Sequence, residues 1–196
     1  MKLDYILAKL SDLNSEQINE LIVLHKQSIP NSFFSIQPNK LCKKIYESIS
    51  SNESFFNIVA ISNNSPIGFF VGRVKISTLY NVLSPAEVFS LVWNSLIKLK
   101  YRFLLDFLNL LVLSGIKRRY SKKYWVELIY IDKNFRGEGI GKEMLEIYLK
   151  FLPKGVEVWV DTQKNNSSAI RFYKKNNFVY KPSIFSKDLL FVHKKI

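Results

Sequence analysis

Between Asn134 and Lys142 the chain reads Asn-Phe-Arg-Gly-Glu-Gly-Ile-Gly-Lys, which places three of its seven glycines at alternate positions, 137, 139 and 141. A Gly-x-Gly-x-Gly arises by chance only about 0.01 times in a chain with this glycine content. Glycine lets the backbone approach a ligand and turn its N–H groups toward it, and a following helix adds the positive end of its dipole. The chemistry is that of an anion cradle. Arg136 and Lys142 add positive charge at its two ends, as a pyrophosphate requires. The plain alternative is a flexible strand-to-helix turn. A Walker phosphate loop is excluded, because no Gly-Lys-Ser/Thr is present.

A second stretch runs Asn166-Ser-Ser-Ala-Ile-Arg-Phe-Tyr-Lys-Lys-Asn-Asn-Phe178 and sets Asn166 and Tyr173 seven residues apart. That is two helical turns, so on a helix both project from one face with the small Ala169 between them. Such a face can lie along an extended ligand. Phe172 and Tyr173 can also be core aromatics of a terminal helix, which is the preferred reading for Phe172.

These residues need elements that bring them together. Tyr5 to Leu10 reads as a strand, and Asn14 opens an amphipathic helix with Ile18, Leu21, Ile22 and His25 on one stripe. Ile29-Pro-Asn-Ser32 ends that helix, and a second covers Asn39 to Ser50. Strands at Phe56 to Ile61 and Ile67 to Val74 flank Ser62-Asn-Asn-Ser-Pro66, a hairpin signal. Tyr124 to Ile131 reads as a strand, Gly139 to Leu152 as a helix stopped by Pro153, and Val156 to Asp161 as a strand. Ser167 to Asn176 is then helical, and Phe178 to Ile184 and Leu189 to Lys194 close the chain as strands. Strands alternating with helices, without an internal repeat, predict an α/β layered fold.

A length of 196 residues fits one domain, since single cores become crowded only past roughly 250 residues. With 47% hydrophobic and 14% aromatic residues the chain can bury a sizeable core, which excludes disordered and low-complexity classes. Its 29 Lys and Arg against 16 Asp and Glu leave +13, a balance that favours anionic ligands. One cysteine, Cys42, permits neither an internal disulfide nor a cysteine-based zinc cluster and points to a reducing compartment. The two histidines, His25 and His193, suggest no metal site. Asp4 and Lys9 interrupt the apolar residues of the amino terminus, where an export signal needs about 7 to 15 in a row. The longest apolar concentration, Phe103 to Leu113, spans 11 residues, whereas a membrane crossing needs roughly 20. The expected location is the cytoplasm.

The run Leu128-Ile-Tyr-Ile131 followed by Arg136-Gly-Glu-Gly-Ile-Gly141 resembles the acetyl-CoA signature of the GCN5-related N-acetyltransferases, R/Q-x-x-G-x-G/A. Residues 166–178 resemble that family's N-x-x-A-x-x-F-Y-x-x-x-G-F block, with Asn177 at its usual glycine, a mild departure because Asn tolerates the left-handed conformation. The resemblance extends to Leu10-Ser-Asp-Leu13, the first helix and the hairpin, and so covers most of the chain outside 77–123. It implies a mixed, mostly antiparallel central sheet flanked by helices, in a single domain over 1–196, with a helical insertion at 77–123 before the cofactor-binding strand. It implies that the backbone of Ile129, Tyr130 and Ile131 pairs with the pantetheine arm of acetyl-CoA in a splayed slot. The segment Arg136, Gly137, Glu138, Gly139, Ile140, Gly141 and Lys142 would hold the pyrophosphate, and Asn166, Ala169 and Tyr173 would lie along the cofactor. No metal is implied.

Acyl transfer from a thioester to an amine needs a neutral attacking nitrogen and a proton for the departing thiolate. Tyr173 is the expected acid, because a phenol of reference pKa near 10 stays protonated and can supply a thiolate of about 8.5. Glu127 is the expected base, nine positions before Arg136, where relatives often carry an acidic residue; a glutamate paired with one of many lysines is the competing reading. His25 and Phe33, in and beside the Ser28 to Phe34 loop, are weaker acceptor-binding candidates, since a histidine on an apolar stripe is usually a satisfied core residue. His193 is expected to face solvent.

The segment 77–123 carries eight positive and two negative residues, a balance of +6. Its basic, apolar helical pattern suits a lid over the acceptor, a homodimer face, a peripheral contact with an anionic membrane, or a cap packed on the sheet. It is similar to helical insertions in acetyltransferases linked to bacterial surface-polysaccharide synthesis. The expected acceptor is therefore a primary amine, of an amino sugar or its nucleotide conjugate. A protein or peptide N-acetyltransferase, and a noncatalytic acyl-CoA or polyanion-binding protein, are the alternatives; nucleic acid is disfavoured because no zinc-finger, RNP or helix-turn-helix signature is present.

Overall fold

The computed structural model describes residues 4–30, 32, 34–75, 124–182 and 189–194, so the expected insertion at 77–123 lies outside the described residues. The elements run β1 (Ile6–Ala8), α1 (Ser15–Ser28), α2 (Asn39–Ser51), β2 (Phe55–Ser62), β3 (Ser65–Arg73), β4 (Tyr124–Ile131), α3 (Ile140–Phe151), β5 (Glu157–Thr162), α4 (Ser167–Lys175), β6 (Val179–Lys181) and β7 (Leu189–Lys194). They build a seven-stranded mixed sheet in the order β1-β2-β3-β4-β5-β7-β6, flanked by helices on both faces. Every neighbouring pair is antiparallel except β4 and β5. The expected layered α/β fold is therefore present.

Local chemistry explains the bounds. Asn14 caps α1 by accepting from the N–H groups of Glu16 and Gln17, at 3.0 and 2.9 Å, while Gln17 Oε1 accepts from Asn14 N–H. The β2–β3 hairpin turns on Asn63 and Asn64, both left-handed at φ 49° and 65°, the conformation that a two-residue hairpin demands and that Asn tolerates. Asn177 takes φ 63° just past α4, where Phe178 N–H donates to Tyr173 O and Asn177 N–H to Lys174 O, a Schellman ending.

The sheet separates two cores. On one face α3 and α4 bring Met144, Leu145, Tyr148 and Tyr173 against Phe70, Val126, Val158 and Phe191. On the other, α1 and α2 bring Leu21, Ile22, Cys42 and Tyr46 against Val59, Phe69 and Tyr130. Tyr148 fits because Gly72 beneath it has no side chain; a Cβ there would overlap the phenol ring. Its one hydroxyl proton is shared between Arg73 O and Trp125 O, at 2.7 and 3.0 Å, which ties α3 to β3 and β4.

Candidate functional site

Two strands that run side by side along the sheet part company in its middle. β4 and β5 pair in parallel through Tyr124 with Val158 and Trp125 with Trp159, whereas β4 stays in register with β3 as far as Ile131 opposite Gly68. Among the described residues no strand pairs with the β5-facing edge of residues 126–131, which leaves a slot there. Backbone N–H and C=O groups of successive residues alternate between the two edges of a strand. Asp132 N–H donates to Ile67 O at 2.8 Å, so Tyr130, two residues before it, also turns its polar groups to β3. Ile129 and Ile131 turn their polar groups to the slot, and Tyr130 does not.

At the end of the same strand the chain makes a short 3-10 turn, Lys133–Phe135, and then the glycine run. Gly137 and Gly139 adopt φ 94° and 86°, a conformation costly for any other residue, and a Cβ at either would meet nothing within 4 Å. The space beside both is open. Gly139 is the N-cap of α3 and has no side chain to satisfy the helix, so the first-turn N–H groups of Ile140, Gly141 and Lys142 point outward uncapped. Ile140 contributes backbone alone, because its side chain is buried in the core. Gly141 is different: a Cβ there would sit at ordinary contact distance, 3.5 Å from Ile129 and 3.6 Å from Phe172. An anion fits this cradle on geometry. Both charges beside it have protein partners: Arg136 Nε donates to Ile131 O at 2.9 Å, and Lys142 Nζ lies 3.6 Å from Glu146 Oε1. Glu138 is exposed.

Tyr173 lies on α4, buried among Phe172, Phe178 and Phe191. Burial, and secondarily the Asp161 carboxylate, push its phenol well above the ordinary value. The group is a held proton. Asn166 is the N-cap of α4, its Oδ1 accepting from Ala169 N–H at 3.0 Å, immediately before the helix start expected at Ser167.

Glu127 occupies a bulge. Val71 pairs with Leu128 and Gly72 with Val126, which leaves Glu127 as one extra residue on β4. Its carboxylate is largely buried, with Oε1 3.5 Å from Arg73 Nε, and the Arg73 guanidinium stands 5.8 Å over the Trp125 ring. Sequence reading passed over Arg73, although a lone charge inside an apolar strand was a usable signal. Arg73 is thus an ion-pair partner of Glu127.

His25 is buried, with Nδ1 2.7 Å from Tyr46 Oη, and its ring stacks on Phe34 at 4.0 Å. Burial, and secondarily Lys26, bring its pKa down to about 3. Phe33 lies outside the described residues. His193 contacts Asn177 O through Nδ1 at 3.3 Å, away from the slot on β7. Among the described residues no group of three or more His, Cys, Asp or Glu is placed to hold a metal, and no helix is long and apolar enough to cross a membrane.

The family model described as the acetyltransferase (GNAT) family matches residues 27–178. Over 61 residues, 30% of the chain, the sequence is 31% identical to a probable spermine N(1)-acetyltransferase of Bacillus subtilis subsp. natto (strain BEST195); that match spans 40% of the relative's length. Among solved structures, PaiA N-acetyltransferase of Thermoplasma acidophilum in complex with coenzyme A aligns with a TM-score of 0.59 at 17% identity, covering 99% of this chain and 100% of that one. AAC(6')-Iy in complex with a bisubstrate analogue aligns with a TM-score of 0.55 at 13% identity, over 92% and 95% of the two chains. At such identities the structures speak for the fold. The matched region runs from the end of α1 through α4 and encloses the open strand, the cradle and the buried tyrosine; the chain belongs to the acetyltransferase (GNAT) family.

Proposed function

We propose that this protein is an acetyl-CoA-dependent N-acetyltransferase acting on the primary amine of a small molecule. The observation that carries the reading is one strand, β4, whose edge beyond Trp125 is left unpaired by β5 and which leads to a glycine N-terminus with no side-chain cap. Acetyl-CoA, when bound, supplies an acetyl group already activated as a thioester. Ile129 and Ile131 would meet its amide-bearing arm, and Gly137 through Lys142 its pyrophosphate, with Arg136 at the rim. Asn166 and Ala169 would flank it from the start of α4. Tyr173 holds a proton at Oη for the departing sulfur, and Glu127, steadied by Arg73, takes the surplus proton of the amine directly or through water.

A net charge of +13 favours a neutral or anionic acceptor, which supports an amino sugar or its nucleotide conjugate over a polycation. The spermine acetyltransferase relative favours a polyamine as the second reading. The basic segment 77–123 supports a contact with an anionic surface or a second copy, and the lone cysteine supports a cytoplasmic setting in a single-domain protein. The test is acetyl transfer to a panel of nucleotide amino sugars, polyamines, aminoglycosides and peptides, repeated with Tyr173→Phe. Turnover in the variant should fall about 100-fold with cofactor affinity kept. No transfer to any amine, despite tight CoA binding, would leave a noncatalytic acyl-CoA binder.

A further inference from the structure

Under the slot, on the α1 and α2 face, three polar side chains form a chain that none of the steps above uses. His25 Nδ1 is 2.7 Å from Tyr46 Oη, Tyr46 Oη is 3.1 Å from Tyr130 Oη, and Tyr130 Oη is 3.1 Å from Leu21 O. All three side chains are buried, so each polar group needs its partner. The protons can be counted. Leu21 O only accepts, so Tyr130 spends its one proton there. Tyr130 Oη must then accept from Tyr46, which spends its own. Tyr46 Oη therefore accepts from His25, and the three bonds admit a single arrangement, with His25 protonated on Nδ1. The His25 ring lies flat on Phe34 at an angle of 8°, and Phe34 belongs to the connection between α1 and α2.

The chain thus runs from β4, the strand whose edge is open, to the loop beyond α1. The cradle opens at the N-terminus of α3 and Tyr173 packs on the α3 and α4 face, while the column stands on the opposite face of β4. We propose that His25, Tyr46 and Tyr130 are a positioning column that fixes the α1–α2 connection against β4 and thereby sets acceptor binding. The proposal rests on the acetyl-transfer reading above. The column holds position and touches neither reacting atom.

Two measurements test it. Nitrogen-15 spectra of the ring nitrogens, simple in a protein with two histidines, should show His25 at neutral pH with its proton on Nδ1; the Nε2–H form overturns the column. In kinetics, Tyr46→Phe and His25→Leu should raise acceptor KM by about 10-fold, with kcat and CoA affinity within about twofold, because buried partners lose a hydrogen bond. His25→Asn keeps an N–H near the Nδ1 position and should restore KM. His25→Leu combined with Tyr130→Phe should cost no more than the larger single change, since either one breaks the same chain. Lower melting temperatures with unchanged KM in both single variants would make the column structural only and overturn the proposal. Absence of transfer by the native protein would overturn the acetyl-transfer reading and the acceptor role with it, while the tautomer spectrum would still report on the column itself.

Discussion

Gly139 sits at φ 86° with open space where a side chain would be, so Gly139→Val has two separable costs. The first is backbone strain, since the left-handed conformation costs an L-residue roughly 1–2 kcal/mol. In a chain of this size each kcal/mol lowers the melting temperature by about 2–4 °C, so the fold should survive with a loss of about 2–8 °C. The second cost falls on the ligand. The isopropyl group would occupy the space beside the cradle and tilt an N–H away from it; one hydrogen bond to a charged group is worth about 1.5–3 kcal/mol, or about 10- to 100-fold in CoA affinity. Calorimetric titration with CoA, paired with thermal denaturation, reads both. Gly72→Ala is the opposite control, because its new methyl group collides with the Tyr148 ring rather than with a ligand. Overpacking of that kind costs about 1–3 kcal/mol of stability and should leave the affinity of the folded fraction intact. A Gly139→Val protein that binds CoA within twofold of the native one would refute the assignment of the cradle.

Further expectations follow from individual contacts. Asn166→Ala removes the α4 cap and should cost about 1 kcal/mol, a drop of about 2–4 °C, while Asn166→Ser should recover most of it. His25 is held neutral by burial, with its pKa brought down from 6.5 to about 3, so the unfolded chain binds the extra proton first. Stability from this group is complete above 6.5 and declines as pH falls from 6.5 toward 3; denaturant melts of His25→Asn should show a flatter acid limb across that window. At the alkaline end the hydrogen bond to Glu143 pushes Tyr5 up to about 12. Its contribution is present below pH 10 and lost as pH rises through 12, so Tyr5→Phe should lose stability less steeply over that interval.

Much of the architecture could be read from residue patterns because it is written in short-range chemistry. Tyr124–Ile131 and Leu189–Lys194 have the bounds that their apolar runs predict, and the paired asparagines at 63 and 64 place the hairpin turn. The glycine run announced itself by spacing. Contacts between distant elements left no such mark. The helix start at Ser167 was legible, but the bond from Ala169 N–H to the Asn166 side chain shows only in the folded cap. The pairing of Glu127 with Arg73 depends on a bulge, and no period in the sequence encodes one extra residue on one strand. Tyr46 is 21 residues from His25 and 84 from Tyr130, so only the folded sheet brings the three together.

Deleting a residue from the middle of a central strand normally turns everything beyond it inside out. β4 is an exception at one position. Val126, Ile129 and Ile131 face α3, while Trp125, Leu128 and Tyr130 face the other way. With Glu127 removed, Val126 and Leu128 become neighbours on opposite faces, and the alternation runs unbroken from Tyr124 to Ile131. The sheet therefore carries Glu127 as a passenger: eight residues span what seven would complete. Shortening the strand by Ile129 instead would swing Tyr130 toward α3 and Ile131 toward α1. For this strand, tolerance to a change of length is a property of a single residue, the one that bears the carboxylate.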